Sequence, residues 1–118
     1  MKPLKRGMVI DVNLNPTIGS ETGKIRPCII VTNNVYNNIV PVIQVIPITA
    51  WNIKKSLIKT NIELFPSVEN GLSKKSIADC LQTRPIDWRQ RFVKQRGKLD
   101  APTMELINQA LKYVFELN

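Results

Sequence analysis

The chain has 118 residues, 43% hydrophobic and 22% charged, with 17 basic residues against 9 acidic for a net charge of +8, and no histidine. This is the length and composition of one ordinary globular domain, expected to span residues 1–118. No stretch approaches the roughly 20 apolar residues of a membrane span, and the basic start MKPLKRG leads into no secretory hydrophobic region, so the cytoplasm is the expected compartment. The missing histidine excludes paired-histidine RNA cleavage, histidine-dependent triads, HExxH metalloproteases and His/Cys zinc deaminases. Any chemistry must use Arg, Lys, Asp, Glu, Ser, Thr or Tyr.

In chain order, residues 8–14 read as a half-buried strand, with Ile10, Val12 and Leu14 on one face and Asp11 and Asn13 on the other. Residues 15–25, carrying Pro16, Gly19 and Gly23, form a polar loop. The run PCIIVT at 27–32 is a short β-branched strand and NNVYNN at 33–38 a turn. Residues 40–48 are a longer β-rich run in which Pro41 and Pro47 mark edges or bulges, because proline has no N–H for a ladder. A polar, basic loop at 52–59 follows. Residues 60–65 and 76–83 read as strands around a loop containing Gly71, residues 85–91 as a turn or short helix, and 92–99 as a final strand containing Gly97.

The C-terminal segment carries the clearest periodicity. Asp100 is an N-cap and Pro102 falls in the first turn. Met104, Ile107, Leu111 and Val114 follow helical spacing, with Leu106, Ala110 and Phe115 widening the stripe. Short strands, long polar loops and one late helix describe a mainly β (α+β) chain, a small partly closed barrel with an appended α-helix.

Two features of composition bear on function. Cys28 and Cys80 lie far apart in strand-like runs, form no CxxC pair and cannot hold zinc alone, which leaves buried thiols or a redox role. Between positions 84 and 98 lie Arg84, Arg89, Arg91, Lys94, Arg96 and Lys98 against Asp87 alone. Such a cluster is either a polyanion-binding surface or a solvated basic face.

The stretch GSETG lacks the GK[ST] ending and following helix of a phosphate-binding P-loop. It is instead a glycine-containing loop that delivers Ser20, Glu21 and Lys24 and ends at Arg26, placing a rigid cation beside a polar arm.

The segments RGMVIDVNLNPTIGSETGKIRPCIIVTNN, PITA and SIADCLQTRPID resemble, in order and spacing, the MazF/PemK/Kid family of toxins along nearly the whole chain, as does the late GK.L before a helix. The resemblance implies an SH3-like barrel, a homodimer and cleavage of single-stranded RNA without metal or cofactor. It further implies 2′,3′-cyclic phosphate and 5′-hydroxyl ends and a MazE-like antitoxin protein as partner. By position, the family's catalytic arginine and threonine fall on Arg26 and Thr49. Ser20 and Glu21 match its GSE loop, and Ser76, Gln82 and Arg84 its later RNA-contacting segment; Lys24 lies on the same loop and stands with them as an RNA-binding candidate. Met8 replaces the usual acid after RG, Thr22 a glutamine, Lys24 a glycine, and Ala50 a small hydroxyl residue.

The implied reaction is physically reasonable. Attack by the ribose 2′-hydroxyl needs only alignment and stabilisation of a phosphorane-like state. A guanidinium holds two phosphate oxygens at once, but as a base at neutral pH it would cost roughly 7 kcal/mol, at about 1.36 kcal/mol per pKa unit. Arg26 is therefore expected to stabilise charge and protonate the leaving 5′-oxygen, with Glu21 as base and Asp79 in reserve. Against these roles stand blander ones: Glu21 pairing with Lys24 or Arg26, and Thr49 capping a turn. Trp51, Trp88 and Tyr36 either stack on bases or serve packing. The competing functions are a gyrase-poisoning toxin on the same barrel, whose members lack the GSE…RP loop, and a catalytically silent RNA-binding module.

Overall fold

A computed structural model describes residues 3–118. Its strands are β1 (Met8–Asn13), β2 (Ile25–Ile30), β3 (Val42–Ala50), β4 (Asn61–Leu64), β5 (Ser76–Asp79), β6 (Arg84–Asp87) and β7 (Phe92–Lys98). Two short helices, α1 (Ile53–Ser56) and α2 (Trp88–Arg91), and the long α3 (Ala101–Phe115) complete the order. The strands form an antiparallel sheet in the order β4-β5-β3-β2-β1-β7, with β6 also paired to β3.

One edge of β3 carries two partners in succession. Val42 to Val45 pair with β6, and Ile48 to Ala50 pair with β5. Pro47 falls in the interval between them, where a residue without an N–H leaves no ladder bond unmade. The same interval corrects the expected strand over 76–83. It stops at Asp79, and Cys80–Gln82 form one turn of 3-10 helix, closed by Thr83 N donating to Cys80 O at 3.2 Å, because the chain must step from the β5 position to the β6 position. The loop expected at 52–59 contains α1, whose first turn is capped by Asn52 Oδ1 accepting from Lys55 N at 2.8 Å.

Two apolar clusters fill the fold. Val9, Ile29, Ile46, Ile48, Leu64 and Leu99 pack under Ile107 and Ala110 of α3. Leu4, Ile10, Val12, Leu14, Cys28, Ile30, Ile43, Val45 and Ile86 form the second cluster, with Trp88 and Phe92 against it. β1 is thus buried on both faces, where the alternation pointed to one, because it lies between β2 and β7 with a cluster on each side. Asp100 caps α3 through Thr103 N at 2.9 Å, and the hydrogen bonds from the Thr103 side chain and backbone hold its carboxyl below the usual range. Leu106 and Phe115 stay exposed. Leu106 lies about 100° around the helix from Ile107, outside the stripe that meets the sheet.

Among the described residues no strand joins the sheet's ends, β4 and β7. The connection between β4 and β5 closes that gap instead: Lys98 N donates to Glu69 O at 2.9 Å. A Cβ on Gly97 would run into the Glu69 carbonyl oxygen, and one on Gly71 (φ +67°) into the Arg96 carbonyl. Both glycines therefore stand where two backbones meet with no room for a side chain. The substitution Gly97→Ala is expected to destabilise the fold by about 1–3 kcal/mol or more through forced backbone movement; the midpoint of urea unfolding measures it.

Both thiols are buried and free. Burial pushes Cys28 and Cys80 up to about 12. A thiol that ionises near 9 when exposed but near about 12 in the fold draws the equilibrium toward the unfolded chain as pH rises. Stability from these groups is complete below pH 9 and falls from there toward pH 12. Native protein at pH 8 is expected to leave both thiols unmodified by a soluble disulfide reagent, and denatured protein to react at both; absorbance of the released thiolate counts them.

Candidate functional site

The site begins with register. Cys28 of β2 lies opposite Pro47 of β3. That is the last pair of the β2–β3 ladder; Arg26 and Thr49 lie two residues beyond it on their strands, past the end of the pairing. Both line a cavity of about 270 Å³ together with Ser76, Lys74, Ala50 and Arg96. Among the described residues this lining holds three cationic side chains, three hydroxyl groups, of Thr49, Ser73 and Ser76, and no carboxylate.

Each polar side chain in the cavity is held differently. Arg26 Nε donates to Gly23 O at 2.9 Å, and no carboxylate lies within ion-pair distance of it among the described residues. Thr49 is 9% exposed, and its Oγ1 accepts from Lys55 Nζ at 3.3 Å. Ser76 is buried and its Oγ donates to Lys74 O at 2.9 Å. Arg96 Nε donates to Asp11 Oδ1 at 2.5 Å and its Nη1 to Gly71 O at 3.0 Å. A fixed guanidinium, a second cation beside it and an adjacent hydroxyl form a donor set matched to a phosphate group.

The other candidates are not part of this lining. Ser20 and Lys24 are exposed. Glu21 is exposed too, and its Oε1 accepts from Ile18 N at 2.7 Å, an internal tie of the loop tip rather than a pair with Lys24 or Arg26. Gln82 Oε1 accepts from Thr22 N at 2.6 Å, while its Nε2 donates to Asp79 Oδ2 at 3.0 Å. Arg84 Nη1 donates to Leu14 O at 3.2 Å, and Arg91 Nη1 to Asn13 O and Asn15 O at 2.9 and 2.6 Å. Gln82, Arg84 and Arg91 thus hold the β1–β2 loop to the body of the protein.

The family departures have local explanations. Met8 Sδ accepts from Lys5 N at 3.0 Å. Lys24 adopts φ 70°, in the left-handed region that favours glycine, and its N donates to Asn15 Oδ1 at 2.9 Å. Ala50 contributes a methyl group to the cavity. Trp51 is partly buried: its Nε1 donates to Glu63 Oε1 at 2.9 Å, and Lys75 Nζ sits 4.1 Å from its ring centroid. Trp88 Nε1 donates to Val40 O at 3.1 Å, and Tyr36 is exposed.

Sequence reasoning did not select Lys74 or Arg96 as site residues. Arg96 was visible only as one member of the basic run. Its position immediately before Gly97 was the usable signal, since that glycine marks the close approach that carries Gly71 and Lys74 to it.

A family model described as PemK-like, MazF-like toxin of type II toxin-antitoxin system matches residues 5–115. The chain is 33% identical to the Bacillus subtilis endoribonuclease EndoA over 109 residues, 92% of this chain and 91% of that protein. In fold it is similar to MazF from Deinococcus radiodurans, with TM-score 0.83 at 20% identity, covering 99% of this chain and 100% of that one. It is also similar to a mycobacterial endoribonuclease solved in complex with its cognate antitoxin, with TM-score 0.75 at 22% identity, covering 99% and 98% of the two chains. With the family pattern matched over almost its full length, the chain belongs to the PemK-like, MazF-like toxins of type II toxin–antitoxin systems.

Proposed function

We propose that this toxin is an endoribonuclease that cuts single-stranded RNA by internal 2′-hydroxyl attack, without a metal ion, leaving a 2′,3′-cyclic phosphate and a 5′-hydroxyl. The observation that carries this reading is the presence of Arg26 and Thr49 in one cavity lined, among the described residues, by cations and hydroxyls and by no carboxylate. Such a lining attracts a phosphodiester and repels a divalent cation. Endonuclease activity also agrees with the name of the Bacillus subtilis relative.

In the proposed reaction the Arg26 guanidinium grips the non-bridging oxygens of the scissile phosphate, stabilises the charge that develops there and gives a proton to the 5′-oxygen as its bond to phosphorus breaks. Thr49 Oγ1 accepts from Lys55, which leaves its own proton to donate to a phosphate oxygen. The nucleophile belongs to the substrate, so alignment of the ribose replaces activation of a water. Glu21 is the proposed base, the sole carboxylate of the β1–β2 loop. To act, it exchanges its bond to Ile18 N for one to the 2′-hydroxyl.

A symmetric homodimer and a MazE-like antitoxin belong to the same proposal. The mycobacterial neighbour was solved with its antitoxin, and a net charge of +8 favours an acidic inhibitory segment.

The test is cleavage of a long RNA in the presence of EDTA, with the ends mapped. Cyclic phosphate ends and unreduced turnover are expected, and 2′-deoxy substitution at the cut should abolish cleavage. Substituting Arg26→Ala is expected to lower kcat by about 10²–10³, the usual cost of losing one donor to developing charge, and Thr49→Ala to lower it less. Loss of turnover on chelation, or equal cutting of the deoxy substrate, overturns the mechanism. Near-normal turnover of Glu21→Gln removes Glu21 from the role of base.

A further inference from the structure

The cavity contains a second guanidinium that the proposed reaction does not use. Arg96 reaches it from β7, while Arg26 enters from β2 and Lys74 from the β4–β5 connection. Two of its three nitrogens are occupied, Nε by Asp11 and Nη1 by the Gly71 carbonyl, and Nη2 makes no hydrogen bond among the described residues. Asp11 is 5% exposed and lies in the middle of β1. Its other neighbour is Lys94, whose Nζ lies 4.0 Å from Oδ2.

A buried carboxylate inside a central strand is costly unless it is paired. Here Asp11 holds the guanidinium at one edge while the Gly71 carbonyl holds it at another. The side chain is thereby fixed, and its remaining N–H groups are available in a space that has no carboxylate to absorb them. That is the arrangement of a preorganised anion donor, with the rotamer already selected before the ligand arrives.

We propose that Arg96 forms a second phosphate subsite, which binds the phosphodiester next to the scissile one, and that Asp11 is its positioning residue. The inference rests on the RNA-cleavage reading above and adds a register to it. Arg26 takes the phosphate that is cut, and Arg96 takes a neighbour along the same strand, so the substrate is gripped at two points and the scissile phosphate is held in register. A single charged hydrogen bond of this kind governs affinity for one phosphate and leaves the others unaffected.

The experiment uses an oligonucleotide spanning a mapped cut site, made uncleavable by 2′-deoxyribose on the 5′ side of the cut. A neutral methylphosphonate replaces each phosphate in turn, and Kd is measured for every position. In the unsubstituted protein, two positions are expected to lose about tenfold or more, the scissile phosphate and one flanking it, as for removal of a charged hydrogen bond. The double variant Asp11→Asn/Arg96→Gln removes both charges and strands neither. It should become insensitive at the flanking position and keep its loss at the scissile one, and Arg26→Ala should show the reverse. Circular dichroism checks that the variants fold. A scan of the unsubstituted protein with a loss at the scissile phosphate alone overturns the subsite without recourse to any variant, as does a double variant whose scan is unchanged. If the unsubstituted protein cuts no RNA, the functional reading fails first and takes the subsite with it, which distinguishes the two failures.

Discussion

The meeting of the Glu69 carbonyl with the backbone at Gly97 and Lys98 is the contact on which the rest of the architecture depends. A seven-stranded sheet that curls but does not join its ends leaves β4 and β7 as open edges. The β4–β5 connection covers that opening, at the cost of two positions where only glycine fits. Its consequence reaches the cavity directly. The same connection that seals the gap carries Leu72, Ser73 and Lys74 into the lining, and the same stretch of β7 brings Arg96.

The cavity is thus assembled from segments distant in sequence, and its electrostatics follow from where the acids were placed. Asp11, Asp79 and Glu63 each lie close to it in sequence or register, yet each carboxylate is already engaged and none enters the lining: Asp11 by Arg96 and Lys94, Asp79 by Gln82, Glu63 by Trp51 and Lys75. Cations and hydroxyls are left facing the open space. Clustered positive charge in a partly enclosed site repels itself, and a bound phosphate relieves that repulsion. Binding of RNA under the proposed function would draw on the same relief.

Much of this was legible in the chain. β1, β2 and β3 announced themselves by β-branched runs, and α3 by Asp100, Pro102 and the stripe through Met104, Ile107 and Leu111. Arg26 and Thr49 came from motif resemblance, and the structure places both in the lining of one cavity. What local pattern could not disclose was anything set by the pairing of distant segments. The break at Cys80–Gln82 exists because β3 has two partners on one edge, and no periodicity within 76–83 records that. Burial of Asp11 is likewise invisible along β1, where an acid alternating with apolar residues reads as the solvent face. Gln82 and Arg84 were expected as substrate-facing residues, and what the structure shows of them is the anchoring of the β1–β2 loop.

That anchoring bears on how a distant carboxylate could take part in the chemistry. The loop is fixed at its roots, by Arg84 at Leu14, Arg91 at Asn13 and Asn15, and Gln82 at Thr22. Its tip, with Ile18, Gly19, Ser20 and Glu21, is exposed. The tie between Glu21 and Ile18 N is a solvent-facing hydrogen bond, worth about 0.5–1.5 kcal/mol net. Releasing it costs roughly a factor of ten or less in population, small beside the factor of 10²–10⁴ that a positioned base typically contributes. Under the proposed mechanism, fixed roots and an exposed tip would let Glu21 exchange this bond for one to a bound ribose at little energetic expense, while Arg26, tied to Gly23 O at the end of the same loop, would keep its place at the phosphate.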